Sequence, residues 1–452
     1  MRKINWIIAL VIAVGITAGF NSCKKDKDDD DNTTLDPTPT VTEVTGEISA
    51  NTTWSASNKY LLKGFVYVTN GATLTIEAGT VIKGDKTTMG TLIIEQGGKI
   101  MAEGTAAKPI VFTSNAPVNF RNRGDWGGLI ICGKAPINVS GGTAQIEGGP
   151  RSTYGGTDVA DNSGILKYVR VEYAGYPFQP DKEINGITFG GVGNGTTVDY
   201  VQVSYSNDDS YEFFGGTVNC KHLIAVSGLD DDFDTDYGYS GKLQFVVSLR
   251  DKGVADVSGS NSFESDNDGS GSSSTPFTSA IFSNVSIFGP RQTATTSNIS
   301  SLYKYAMHLK KNTHISIFNS IFVGWTTGLM VDGSACETNA TNGDIEVKNC
   351  IISGCSSFFS QASGSTFSTK DWYQTAAFNN DTLLSNSSVM ITDPWAATPN
   401  FLPATGSPAL TDADFTNPKL TSGFEAVSYR GAFGSTDWTS SWANWSPQTT
   451  EY

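Results

Sequence analysis

The sequence predicts an all-β protein folded as a single right-handed parallel β-helix, a solenoid with capped ends. Three features lead to this prediction: short runs in which apolar and polar residues alternate, glycine or Asn-Gly turns between the runs, and a spacing of roughly 20 to 30 residues. No window carries the sustained apolar stripe of an amphipathic helix. Each turn of a solenoid buries its inner side chains only against its neighbours, so the two ends require caps.

The alternating runs begin near residue 62 and continue through most of the chain. In the first of them Val66, Val68, Leu74 and Ile76 are separated by polar or small residues and by an Asn-Gly turn. Because successive side chains of a strand point to opposite faces, such runs predict strands with one buried face. The runs lie at 62–82, 90–100, 127–131, 166–171, 198–203, 222–226, 243–247, 283–287, 315–318 and 345–352.

The alternative architecture is a series of two or three β-sandwiches, which short strands alone would also allow. Two observations disfavour it. No linker composition interrupts the chain between about 46 and 400, and the Cys-Trp-Cys spacing of immunoglobulin-type sandwiches is missing. The solenoid is therefore the preferred prediction.

The N-terminus has the three parts of a secretory signal peptide, predicted at 1–22. Basic Arg2 and Lys3 precede an apolar stretch at 6–20, which is shorter than the roughly 20 residues that cross a bilayer. The residues before Cys23 resemble a lipobox, which implies that Cys23 carries lipid; an ordinary signal with an unmodified cysteine is the alternative. We therefore expect an exported, lipid-anchored protein.

The rest of the chain divides into a tether at 23–45 and a β-helix domain at 46–452, with a C-terminal cap at about 400–452. The acidic run after the cysteine resembles the export signal of Bacteroidota lipoproteins and implies the outer face of the outer membrane. A solvated spacer is the alternative. The cap is predicted to cover the last open turn with Trp438, Trp442 and Trp445.

Composition restricts the partners. With 45 acidic and 30 basic residues the net charge is −15, so nucleic acid should repel the chain, and we expect no nucleic-acid partner. Lipidation of one of the six cysteines leaves Cys132, Cys220, Cys336, Cys350 and Cys355, an odd number that does not form a complete disulfide framework. A single bridge, between Cys350 and Cys355 or from Cys336 to either, is compatible with the cell exterior.

Several segments carry a family resemblance. DWGGLIICGKAPIN at 125–138, the stretch from DYVQV to EFFGG at 199–216, and YRGAFG with two tryptophans at 429–442 resemble a family of Bacteroidota surface lipoproteins of unassigned activity. PNFLP through GSPAL at 399–410 resembles the closing segment of pectate-lyase-like β-helix proteins. The resemblance implies a fold and does not by itself imply a reaction.

Carboxylates are densest at 207–236. An offset of about 23 residues superposes Asp208 and Asp209 on Asp231 and Asp232, which stacks acid on acid along one side of the solenoid. Like charges this close are unfavourable unless they are protonated, solvated or bound to a cation, and oxygen ligands at this density suit Ca²⁺. A solvated acidic turn is the alternative. The candidate metal ligands are Asp208, Asp209, Asp230, Asp231, Asp232, Asp234 and Asp236.

Catalytic candidates are weak. A polysaccharide lyase on this fold requires a basic residue that removes a proton, and Lys242, Arg250 and Lys252 lie about one turn beyond the acids. Their alternative role is surface charge balance. Asp208 and Asp209 match the acid and base pair of a hydrolase, but no Gly-His-Gly or Arg-x-Lys follows in register.

Aromatic residues flank the acids and suggest a sugar-binding groove, because flat rings stack on sugars while carboxylates accept from hydroxyl groups. Aromatic stacking inside the core is the alternative. The candidate ligand-binding residues are Tyr205, Tyr211, Glu212, Tyr237 and Tyr239.

Together these features predict a surface lipoprotein that acts as a binding or adhesion module for glycan or for a cell-surface protein, with a Ca²⁺ site. Two alternatives remain open at this stage. One is a polysaccharide lyase or hydrolase, and the other is a structural spacer of the cell surface.

Overall fold

The computed structural model of the protein describes residues 41–178 and 183–452. The predicted signal peptide, the predicted lipidation site at Cys23 and most of the predicted tether lie outside the described residues. The first strand begins at Val41, inside the segment predicted as tether, and its first half pairs with the next turn. No helix in the described ranges has the length and apolar character needed to cross a membrane.

Short strands account for most of the regular structure in the described ranges. They are β1 (Val41–Ile48), β2 (Thr52–Trp54), β3 (Lys59–Val68), β4 (Thr73–Ile76), β5 (Val81–Gly84), β6 (Thr91–Ile94), β7 (Lys99–Glu103), β8 (Ile110–Ser114), β9 (Leu129–Cys132), β10 (Ala144–Gln145), β11 (Thr153–Tyr154), β12 (Gly164–Glu172), β13 (Ile187–Gly190), β14 (Thr197–Ser204), β15 (Tyr211–Phe214), β16 (Asn219–Val226), β17 (Phe233–Asp236), β18 (Lys242–Leu249), β19 (Phe263–Ser265), β20 (Ile281–Phe288), β21 (Tyr305–Leu309), β22 (Ser316–Phe318), β23 (Ile321–Val323), β24 (Thr327–Val331), β25 (Glu346–Lys348), β26 (Ile351–Ser353), β27 (Ser357–Gln361), β28 (Asp381–Leu383), β29 (Ile391–Asp393) and β30 (Asn400–Pro403).

Two short α-helices also form, although no helix was expected from the sequence. They are α1 (Ser334–Asn342) and α2 (Thr369–Tyr373). The sequence of α1 has few apolar residues, so it carries no stripe that a search for amphipathic periodicity would detect. Single-turn 3₁₀ helices lie at Ala376–Phe378, Asn386–Val389, Pro408–Leu410, Pro418–Leu420 and Pro447–Thr449.

Of these strands, 26 join in one sheet whose pairs are all parallel. The pairing register divides this sheet into three faces that wind around a common core. Face A runs through β2, β4, β7, the first halves of β12, β14, β16, β18 and β20, then β22 and β25. Face B runs through the first halves of β1 and β3, then β5, β8, the second halves of β12, β14, β16, β18 and β20, and β23, β26 and β28. Face C runs through the second halves of β1 and β3, then β6, β9, β13, β15, β17, β19, β21, β24 and β27. This is the predicted right-handed parallel β-helix, and it excludes separate sandwiches.

The bend between face A and face B is made by one left-handed residue per turn. Tyr168, Tyr200, His222 and Phe245 have φ between 50° and 58° and occupy equivalent positions in successive turns. Their rings stack with centroid separations of 4.5, 4.2 and 5.1 Å. A left-handed conformation is unfavourable for residues other than glycine, and the ring stacking offsets part of that strain.

Aromatic stacks continue inside the core along face C. Phe189 and Phe213 stack at 5.1 Å, and Tyr211 and Phe233 stack at 5.3 Å. Side chains alternate along a strand, so Glu212, which lies between the inward Tyr211 and Phe213, points to the outer surface of face C. The core therefore fixes the direction of the acidic side chains.

Aromatic residues close both ends of the core. At the first turn Trp54 stacks on Tyr60 at 4.8 Å, and at the last turn helix α2 buries Trp372 and Tyr373. The hydroxyl of Tyr373 donates to the backbone carbonyl of Cys350. The five described cysteines are buried and unbridged, so no disulfide stabilises this end.

The C-terminal segment 400–452 runs back toward the first turns along face B and its bend with face A. Three buried amide side chains each bond to the backbone N–H and C=O of one residue in this segment: Asn319 to Asp414, Gln244 to Glu425 and Gln202 to Asn444, at 2.7–3.1 Å. The order of these contacts shows that the segment passes from late turns to early ones.

The tryptophans of this segment do not cover the last turn, so that prediction is wrong. Trp442 packs edge-on against Tyr168 and Tyr200, and Trp438 packs against His222. The outer surface of face B is apolar, and it forms a second core with the segment 400–452. The tryptophans seal the side of the solenoid because that is where apolar surface would otherwise be exposed.

Candidate metal centre

Face C carries a column of charged residues on its outer surface. The pairing register places Glu212 beside Asp234, Asp234 beside Glu264, and Glu264 beside His308. The turns that precede these strands stack in the same way. The backbone N–H of Asp231 in one turn donates to Oδ1 of Asp209 in the turn before it at 2.7 Å.

The predicted offset between acidic turns was about 23 residues, and the structure corrects it to 22. Asp209 therefore lies beside Asp231, and not beside Asp232 as predicted. The expected column of acids forms, with a register that differs by one residue. That difference changes which acids reach the surface, because neighbouring residues of a strand point to opposite faces.

A cavity of about 630 Å³ opens over this column. Ten of its sixteen lining residues are acidic, and Lys310 is the only basic residue among the described residues that line it. The loop at 256–259 contributes Val257, Ser258 and a glycine to the rim, and Asn207 and Leu229 complete the non-acidic lining. The acidic residues are Glu147, Glu183, Asp208, Asp209, Glu212, Asp230, Asp231, Asp234, Asp256 and Glu264.

Three groups of carboxylates in the cavity have the spacing of a metal site. The first triad is Asp208, Asp209 and Asp230; the second is Asp209, Glu212 and Asp234; the third is Asp231, Asp234 and Glu264. Within each triad, one oxygen per residue lies within 4.8 Å of the others. Ca²⁺ binds oxygen at about 2.3–2.6 Å, so oxygens on opposite sides of one ion lie up to about 5 Å apart.

Two oxygens of these triads lack hydrogen-bond partners. Oδ1 of Asp230 and Oδ1 of Asp234 are buried and bond to no other group among the described residues. A buried oxygen without a donor is unfavourable unless a proton or a cation binds to it. The donor set, made entirely of hard carboxylate oxygens, fits a divalent cation such as Ca²⁺.

Burial is the main electrostatic feature of the cavity. It raises the pKa of Asp209, Glu212 and Asp234 well above the ordinary range, and the charges of neighbouring carboxylates add to the shift. The same two causes raise the pKa of Asp231, and burial raises the pKa of Asp230 to about 6. The ionised form of the cluster is therefore electrostatically unfavourable near neutral pH unless bound cations offset its charge.

Glu264 differs from the other acids because two basic side chains contact it. Lys310 forms an ion pair with its Oε1, and His308 Nδ1 lies 3.6 Å from its Oε2. Burial would raise the pKa of Glu264, but these contacts outweigh burial and lower the pKa to about 2. Lys310 stays charged in turn, since Glu264 and Asp266 outweigh burial and raise its pKa.

Two predicted metal ligands lie outside the triads. Asp232 is fully buried and pairs with Arg250, whose Nη1 donates to its Oδ1 at 2.7 Å; its other oxygen accepts from Ser248. Its prediction as a metal ligand is wrong, because Arg250 already neutralises the carboxylate beneath the cavity. Asp236 does not line the cavity either, and it accepts from the backbone N–H of Tyr237.

The predicted catalytic bases do not reach the cavity. Lys242 Nζ donates to the carbonyl of Ser422 in the C-terminal segment at 2.6 Å, and Arg250 is held by Asp232. Lys252 is exposed and does not line the cavity. None of the three candidates therefore lines the acidic cavity.

The predicted ligand-binding residues divide into two groups. Glu212 lines the cavity, whereas the four tyrosines are absent from its described lining. Tyr211 and Tyr239 are fully buried and donate to backbone carbonyls, so their prediction as ligand contacts is wrong. Tyr205 stacks on Tyr173 at 5.3 Å, and Tyr237 packs against Phe214.

Comparison with protein families matches residues 46–398 to the pectate-lyase-like β-helix domain. The chain belongs to the pectate-lyase-like β-helix family. The matched residues include every lining residue of the acidic cavity, and the C-terminal segment 400–452 lies beyond them. Comparisons with curated proteins and with solved structures returned no match.

In this pectate-lyase-like chain, sequence reasoning missed Glu264 and Lys310. A usable signal was present for Glu264, because an acid next to inward aromatic residues recurs as Tyr211-Glu212-Phe213, Phe233-Asp234 and Phe263-Glu264. The interval from Asp234 to Glu264 is 30 residues, since the loop before β19 is longer than in the preceding turns. A search that assumes a constant offset between turns therefore does not find Glu264.

Proposed function

We propose that the acidic cavity binds divalent cations, with Ca²⁺ as the preferred ion, and that the protein uses the loaded cavity as a binding module for an acidic glycan. The observation that carries the proposal is the pair of buried, unpaired oxygens of Asp230 and Asp234 within carboxylate triads. Cations bound within these triads would give both oxygens a partner and offset part of the negative charge of the column.

The ligand class follows from the coordination chemistry. Ca²⁺ takes six to eight oxygen ligands, and one triad supplies only part of such a shell. The remaining positions suit carboxylate and hydroxyl oxygens of an incoming ligand. A cavity of about 630 Å³ with Asn207 and Ser258 in its lining has room and hydrogen-bonding groups for a sugar unit beside the ion.

Binding is preferred over polysaccharide cleavage because of Lys310. β-Elimination requires a neutral basic side chain that accepts the proton, whereas the ammonium group of Lys310 forms an ion pair with Glu264 and lies 3.8 Å from Asp266. The predicted lipid at Cys23 would hold such a binding module at the exterior of the outer membrane. The spacer alternative requires no ligand at all.

The test is retention of acidic polysaccharides by the immobilised protein with Ca²⁺ and with chelator. We expect retention with Ca²⁺ and a loss of affinity of roughly tenfold or more in chelator, because contacts to charged groups contribute about 1.5–3 kcal/mol each. Glu103→Gln with Asp393→Asn, two exposed carboxylates away from the cavity, is the matched control and should retain the glycan.

Other outcomes separate the alternatives. New unsaturated chain ends in the incubated polysaccharide would show a lyase and contradict the binding proposal. If no acidic glycan is retained under any condition although Ca²⁺ binds, the glycan part of the proposal is wrong and a surface protein or a spacer role takes its place.

A further inference from the structure

Lys310 occupies an unusual place at one end of the acidic column. It is the only cation among the described lining residues, and its ammonium group pairs with Glu264, a member of the third triad. A second carboxylate, that of Asp266, lies 3.8 Å from the same nitrogen. The ammonium group therefore already compensates the charge of Glu264.

We propose that Lys310 is a built-in counter-ion that neutralises Glu264 and so disables the third triad as a metal site, so that metal ions bind at the first two triads. This inference rests on the proposed function, because it assumes that the cavity binds cations. It deepens that proposal by defining how many ions bind and which end of the column they occupy.

The geometry of the triads supports this division. The first triad, with Asp208, Asp209 and Asp230, shares no residue with the third, so the two have ligands for separate ions. An ion at the third triad would need Glu264 as a ligand, and that carboxylate is already paired with the ammonium group of Lys310. Asp230, which has one unpaired oxygen, belongs to the first triad, and Asp234, which has the other, is shared by the second and third triads.

We expect Glu264 to stay in place when Lys310 is changed, because two other side chains contact it. Asn261 Nδ2 donates to its Oε2 at 3.0 Å, and the ring of His308 lies on the same side, held by Asp332 at 3.1 Å. The Lys310→Met variant keeps a long side chain of similar volume and removes only the charge. The third triad then keeps its carboxylates and loses its counter-ion.

The experiment is calorimetric titration of the purified protein with Ca²⁺ as the only added ligand. We expect Lys310→Met to bind one more Ca²⁺ per molecule than the wild type, and Lys310→Arg, which restores the charge, to return to the wild-type number. Lys311→Met is the matched control, because Lys311 pairs with Asp266 at 2.7 Å but does not line the cavity; its Ca²⁺ number should equal that of the wild type.

The outcomes distinguish this inference from the proposed function. If the wild type and Lys310→Met bind the same number of Ca²⁺ ions, the counter-ion role is wrong while the metal site stands. If neither binds Ca²⁺, the metal site itself is wrong. Should Lys310→Met fail to fold, Lys310→Gln provides the neutral variant for the same comparison.

Discussion

Replacing Asp209 and Asp234 by asparagine is expected to abolish the stabilisation of the protein by Ca²⁺. Each of these residues belongs to two triads, so the two substitutions remove at least one carboxylate from all three. A ligand that binds only the folded state raises the free energy of unfolding by about 2.7 kcal/mol at roughly 100 times its Kd. The wild type should show such a rise in thermal or denaturant unfolding, and the double variant should show none.

The stability of the two metal-free proteins provides a second, independent test. Burial and neighbouring charge raise the pKa of Asp209 and Asp234, so their ionised forms destabilise the folded state near neutral pH. Asparagine removes both charges at nearly constant volume. In chelator at pH 7, the double variant should therefore be at least as stable as the wild type.

The expected loss of stabilisation by Ca²⁺ and the expected stability in chelator can be contradicted independently of each other. A double variant that still gains stability from Ca²⁺ would place the ion elsewhere in the molecule. A double variant that is much less stable than the wild type in chelator would mean that the carboxylates serve the fold. The pair Glu103→Gln and Asp393→Asn serves again as the control for general charge removal.

Arg250→Met is expected to lower the free energy of unfolding by about 3–5 kcal/mol, because it leaves the carboxylate of Asp232 buried without its partner. Both side chains of this ion pair are fully buried. Arg250 also donates to the carbonyl of Leu229 at 3.3 Å, beside the turn that carries Asp230 and Asp231. Denaturant unfolding of the variant provides the measurement.

Two further variants show whether the loss of stability comes from the uncompensated charge of Asp232. Adding Asp232→Asn to Arg250→Met should recover part of the loss, because the uncompensated charge is removed. Lys252→Met, at an exposed neighbouring base, should change stability by no more than about 0.5 kcal/mol. A small effect of Arg250→Met, similar to that of Lys252→Met, would contradict a structural role for the buried ion pair.

The fold was predictable because its signal is local and repeated. Alternation in runs such as 198–203 and 222–226 identifies strands, and their regular spacing identifies stacked turns. The same alternation also indicates that Tyr211 faces inward when Glu212 faces outward. The prediction of Tyr211 as a ligand contact was wrong because that period was not applied to the acidic turns.

The candidate site was only partly predictable. The acids gather as expected, but the choice of ligands depends on a register of 22 residues and on the pairing of Asp232 with Arg250. Both are tertiary facts that spacing does not reveal. The longer interval to Glu264 depends on the length of the loop before β19. The path of the C-terminal segment 400–452 depends on which surface of the solenoid is apolar.

The position of a bound ion decides whether the acidic cavity is a metal centre. Anomalous diffraction from crystals grown in Ca²⁺, recorded at a wavelength where calcium scatters anomalously, should give a peak in contact with Asp209 and with either Asp208 and Asp230 or Glu212 and Asp234. A well-ordered cavity without an anomalous peak at saturating Ca²⁺, or a peak found only outside it, would contradict the account.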